Sequence, residues 1–115
     1  MAIQKWSETI TVVELADDPL FTDELNALIE GYQDGPTNVV LNFSAVGFIN
    51  SSNIAKLLRL RKLVSAQHHK LIFCGVNAQV WGVLTVTGLD KIFETANDMV
   101  TALATLQLGD LKGGK

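Results

Sequence analysis

One cysteine, Cys74, in 115 residues leaves no internal disulfide, which excludes the disulfide-framed secreted scaffolds. The only histidines, His68 and His69, are adjacent. Neighbours on a helix point about 100° apart, so they cannot grip one ion together. With a sole thiol, no ligand cluster of zinc spacing exists and no metal site is expected. The phosphate-cradling patterns G-x-x-x-x-G-K-[ST] and G-x-G-x-x-G are missing, as are H-E-x-x-H and G-x-S-x-G. No catalytic residue and no cofactor are therefore expected, and the chain reads as a non-enzyme. No apolar run approaches the ~20 residues that span a bilayer, and Met1 to Glu8 leads into no uninterrupted apolar h-region of the signal-peptide kind. The expectation is a cytoplasmic protein without membrane insertion, in which the sequons at Asn42 and Asn50 are coincidental. Nine bases against twelve acids (pI near 5.2) argue against nucleic acid as a partner, because phosphates demand a basic footprint.

What the chain does have is apolar residues. Hydrophobic residues make up 48% and charged ones only 18%, which excludes a disordered chain and fits one domain with one proper core. Thr9–Glu14 is β-branched and alternating, a strand, with a short strand in Ala2–Trp6 before it and a turn at Ser7-Glu8. A helix is expected from an N-cap at Thr22, through Leu25, Leu28, Ile29 and Tyr32, to the stop at Asp34-Gly35-Pro36. Asn38–Phe43 has the run of a buried strand. Ser51 and Ser52 open the longest helical pattern, which reaches about Gln67. Lys70–Cys74 is a strand closed by Gly75, and Ala78–Thr87 a helix with Gly88 as its left-handed cap. Ile92–Glu94 suggests a minimal strand, Asp98–Leu108 a last helix, and residues 109–115 a frayed tail.

Strands alternating with helices place residues 1–108 in the α/β class as a single domain. The expected architecture is a small mixed sheet of four to five strands with about four helices packed on it. Asn38–Phe43, the long helix and Lys70–Cys74 have the shape of one right-handed βαβ unit, hence a parallel pair; the leading strands would close an antiparallel edge.

Charge is segregated. Residues 1–34 carry eight carboxylates and one base, whereas no acid occurs between Asp34 and Asp90. That middle stretch holds Lys56, Arg59, Arg61, Lys62 and Lys70. A solvated helix face accounts for them; a docking surface for an acidic partner is the sharper reading. On the long helix Ile54, Leu57, Leu58, Leu60 and Val64 share the expected core arc, leaving Leu63 outside among Lys56, Arg59 and Gln67. Ser51 and Ser52, where a loop enters this helix, are by position alone read as helix caps; the sharper reading is a phosphoacceptor facing free N–H groups and the positive dipole end.

The run Val39-Val40-Leu41-Asn42-Phe43-Ser44-Ala45-Val46-Gly47-Phe48-Ile49-Asn50-Ser51-Ser52 resembles the signature of STAS domains, the sulfate transporter and anti-sigma factor antagonist family. In that family a hydrophobic strand leads through Phe-Ile/Met-Asp-Ser-Ser/Thr-Gly into a helix. Thr87-Gly88-Leu89-Asp90-Lys91-Ile92-Phe93 is similar to its Thr-Gly-Leu-x-x-x-Phe/Tyr segment, and the element order agrees over Thr9–Leu106. The resemblance implies a stand-alone antagonist that binds an anti-sigma factor, itself a serine kinase. Phosphorylation at Ser52, with Ser51 as neighbour, would release that partner, and a PP2C-type phosphatase would reverse the mark. The implied partner surface comprises Phe48, Asn50, Ser51, Asn53, Lys56, Arg59 and Leu63. Asn50 stands where the family usually has Asp and Asn53 where it usually has Gly, which removes a charge and a possible base. Two alternatives stay open: a constitutive scaffold subunit of a signalling or lipid-transport assembly, and a nucleotide- or anion-binding module at the Ser51-Ser52 terminus.

Overall fold

The computed structural model describes the backbone of residues 2–113 and the side chains through residue 109. Five strands, β1 (Ile3–Lys5), β2 (Ile10–Ala16), β3 (Asn38–Ala45), β4 (Leu71–Cys74) and β5 (Glu94–Ala96), form one sheet in sequence order. The first pair is antiparallel and the other three are parallel. Four helices, α1 (Leu20–Gly31), α2 (Ser51–Ala66), α3 (Ala78–Val86) and α4 (Met99–Gly113), complete the chain. Short 3-10 turns follow α1 at Tyr32–Asp34 and α3 at Leu89–Lys91. The mixed sheet, the antiparallel edge and the parallel β3–β4 pair joined through α2 are those expected from the sequence.

Strand alternation divides the interior in two. Val39, Leu41 and Phe43 of β3, with Leu71 and Phe73 of β4, face α1, α2 and α3 in the larger core. Val40 and Ile72 point the other way and meet Ala102 and Leu106 of α4. Through the larger core runs a row of rings. Phe21 meets Phe43 edge-on at 6.0 Å, Phe43 lies 4.8 Å from Phe73, and Phe73 stacks on Phe93 at 4.6 Å. This row crosses from α1 to the end of the parallel sheet and fixes how α1 sits against the β3 exit.

Several boundaries differ from expectation, each for a local reason. The first helix starts at Leu20, with Pro19 at the cap; Thr22 is inside it, its amide and hydroxyl both donating to Asp18 at 2.9 and 2.6 Å. The last strand is Glu94–Ala96, two residues late, because Ile92 and Phe93 donate their amides to Leu89 O and Phe93 is spent on the core. The last helix continues through Gly113 where a frayed tail was expected from residue 109; one interior glycine costs only about 1 kcal/mol of helix preference. Residues 114 and 115 lie outside the described ones. Gly88 does occupy the left-handed position after α3, at φ 77°.

The long helix is rotated relative to its apolar pattern. Its buried row is Asn53, Leu57, Leu60 and Val64. Leu58, expected in the core, lies roughly 130° from that row and is exposed. Leu63, expected on the surface, is half-buried against the larger core. The polar Asn53 belongs to the buried row, so a phase taken from hydrophobic residues alone is displaced.

Candidate functional site

The site is built where β3 leaves the sheet and α2 begins. Val46 and Ile49 of the connecting loop point into the larger core, which turns Phe48 outward to 62% exposure. The loop is tied from both sides. The Gly47 amide donates to Asp17 Oδ1 at 2.9 Å, and Asn77 Nδ2 donates to Val46 O at 2.9 Å. Leu20, just after Asp17 and Asp18, is also an exposed large apolar side chain.

Helix α2 is capped by Asn50, not by a serine. Asn50 has extended backbone, and its Oδ1 accepts the Asn53 amide at 2.8 Å. Asn53 Oδ1 accepts the Asn50 amide at 3.0 Å, completing a reciprocal box. Both side-chain amides then turn to one carboxylate. Asn53 Nδ2 donates to Asp18 Oδ2 at 3.1 Å and Asn50 Nδ2 to the same oxygen at 3.5 Å. The Thr22 hydroxyl and the Asn53 amide hold the Asp18 carboxyl below the usual carboxylate range.

The two departures from the family motif thus form one unit with Asp18. An Asp at position 50 would set a second carboxylate against Asp18; Asn supplies a donor instead. Asn53 is 2% exposed, so it supports the loop from beneath and is no part of an accessible partner surface, contrary to expectation. Nor is Leu63 exposed, as expected of that surface; half-buried, it lines one flank of α2. Phe48, Asn50, Ser51, Ser52 and Arg59 are exposed and Lys56 is half-buried.

Ser51 and Ser52 occupy the first two helical positions. Because Asn50 does the capping, their hydroxyls are left out of the cap. Ser52, Lys56 and Arg59 follow one stripe of α2, facing α1 across a groove of ≈ 280 Å³ that Asn26 and Glu30 line from the other side. Sequence reading missed Asp18, Leu20, Asn26 and Glu30. Asp17, Asp18 and Pro19 locally signal only a break after the strand, and none of the four carries a local signal for a site assembled across more than twenty residues.

The STAS domain family model matches residues 3–102. The chain belongs to the STAS domain family. Among solved structures, it is similar to an anti-sigma-factor antagonist (STAS) domain protein from Planctomyces limnophilus, with 21% identity, a TM-score of 0.78, and 91% and 97% of the two chains covered. The anti-sigma factor antagonist SpoIIAA in its unphosphorylated form aligns with 13% identity and a TM-score of 0.70 over 93% and 96% of the chains. Its phosphorylated form from Bacillus aligns at 20% and 0.59 over 83% and 89%. A sulfate transporter family protein from Wolinella succinogenes aligns at 17% and 0.71 over 87% and 84%. No curated protein matches the chain. The described residues of this STAS domain contain no group of three or more His, Cys, Asp and Glu side chains suited to a metal ion. None of their helices is long and apolar enough to cross a membrane.

Proposed function

We propose that this STAS domain is a cytoplasmic, anti-sigma factor antagonist-like docking module, without catalysis of its own, switched by phosphorylation at Ser52. Its partner would be an anti-sigma factor that is also a serine kinase. The observation that carries the reading is the freed pair of hydroxyls. Asn50 and Asn53 satisfy the α2 terminus between themselves, so Ser51 and Ser52 stand exposed at the helix start beside Phe48. In the step itself the Ser52 Oγ–P bond forms, the bond from the γ-phosphorus to ADP breaks, and the hydroxyl proton passes to the kinase's base. A PP2C-type phosphatase would return the hydroxyl and release inorganic phosphate. The new group adds about -1.5 to -2 charges beside a partner surface, enough to break docking without refolding.

The test is a pull-down from native cytosol followed by incubation with ATP and the captured kinase, read by intact mass. One added phosphoryl group, lost in Ser52→Ala, and release of the partner by Ser52→Asp are expected. An unmodified mass, or an addition that persists in Ser52→Ala, overturns the switch.

The Asp18–Asn50–Asn53 unit favours one second reading, a constitutive scaffold. It holds the loop rigidly and places amides where the family motif has a charge. On that reading the partner stays bound in Ser52→Asp.

A further inference from the structure

The groove between α1 and α2 has a chemistry of its own. Lys56 and Arg59 line it one and two turns beyond Ser52, and among the described residues neither is in an ion pair; the pair found is Lys70–Glu94 at 4.0 Å, elsewhere. Room of ≈ 280 Å³ accommodates several waters at about 30 Å³ each. Glu30 is the carboxylate on the opposite wall, with the side-chain amide of Asn26 beside it.

We propose that this groove is the receiving site for a phosphoryl group on Ser52, held intramolecularly by Lys56 and Arg59. The inference rests on the phosphorylation reading and specifies what the modified residue does next. A dianion on the second residue of α2 lies on the stripe of both bases, and its three oxygens outcompete one carboxylate for them. Lys56 contributes a compact charge and Arg59 a planar fork suited to two phosphate oxygens. The Asn26 amide is placed to donate from the facing helix. Capture would neutralise the two bases that otherwise present positive charge beside the docking surface, so one modification would both add negative charge and withdraw positive charge. The opposing charges are Glu30 in the groove, Asp23 on the same side of α1 about two turns earlier, and Asp18 at the cap.

The experiment uses full-length protein with phosphoserine installed at position 52 during translation, so no kinase is needed, and follows the ³¹P resonance through a pH titration. Proton affinity about three- to tenfold below that of an exposed phosphoserine peptide is expected. The double variant Lys56→Gln/Arg59→Gln should recover most of that difference, and Glu30→Gln should deepen it. Identical titrations in the parent and double variant overturn capture, as does a Glu30→Gln curve displaced the other way. If the titration behaves as expected but no kinase modifies Ser52, capture stands and the switch falls. A working kinase with a flat variant comparison gives the reverse.

Discussion

Helices α2 and α3 begin with the same device and end with different ones. Each is capped by an asparagine in extended conformation whose Oδ1 accepts the amide three residues on, at 2.8 Å in both: Asn53 in α2, Val80 in α3. What differs is the other half of the cap. The Asn77 amide goes to a backbone carbonyl of the neighbouring loop, and Val80 is buried apolar. The Asn50 side-chain amide goes to a carboxylate, and the residue buried beneath it is polar. The neutral cap fastens the chain and ties the loop through a backbone carbonyl. The charged one ties it through a carboxylate, which leaves two hydroxyls free and makes that terminus responsive to charge.

Giving α2 the buried apolar residue of α3 should break this contrast most severely. Asn53→Val removes the acceptor for the Asn50 amide and the stronger of the two asparagine donors to Asp18, at a cost of about 2–3 kcal/mol. Urea denaturation would show it as a lower midpoint with unchanged slope. Asn77→Ala should cost about 1–2 kcal/mol by the same measurement, since a cap bond and a loop tie go together.

Acid should separate the two termini. The Asp18 carboxyl is held below its ordinary value of 3.8, chiefly by the Thr22 hydroxyl and then by Asn53. Its contribution to stability is therefore fully present above that value and is lost as pH falls through the depressed folded one. Amide protection at Asn53 should drop over that range, while Val80, capped by a neutral residue, should not follow until global unfolding. Asp18→Asn should flatten the stability profile below pH 3.8 in part only. Asp98 remains depressed by the Thr101 amide and side chain at the start of α4. Protection at Asn53 that tracks Val80 throughout would count against a distinct charged cap.

The smallest effect concerns the far ends. After α3 the left-handed position is Gly88, at φ 77°; after α2 it is His68, at φ 62°. The His68 and His69 amides return to Ser65 O and Val64 O, a complete left-handed helix stop built on a side-chain-bearing residue. His68→Gly should stabilise by about 0.5–1 kcal/mol. Gly88→Ala, with open space around the added carbon, should destabilise by about 1 kcal/mol through backbone strain alone. Thermal unfolding distinguishes the signs.

The apolar runs within Asn38–Phe43 and Lys70–Cys74, the helix between them and Gly88 made the parallel sheet legible in the sequence, because each is a local pattern. The site was legible only along one strand of the argument. Ser51 and Ser52 stood out by position, and Phe48 by its place in the motif. Asn50 and Asn53 read as two separate departures, although their three-residue spacing is that of a reciprocal cap. Their charged partner is Asp18, more than thirty residues earlier, and no periodicity points to it. Leu58 and Leu63 exchanged roles for the same reason, since a buried asparagine shifts the helix phase that leucines alone suggest.

The second sheet face has a consequence in time. Ile10, Val12, Val40 and Ile72 are complete as a surface once β4 has joined, yet their helical cover, Ala102 and Leu106, comes from α4. During synthesis that face stays wet until α4 leaves the ribosome, whereas α1, α2 and α3, the cover of the other face, all precede it in the chain. At about 5–20 residues per second, this interval lasts on the order of seconds. Throughout it, a nascent chain displays a bare aliphatic patch to chaperones and to its neighbours on the polysome.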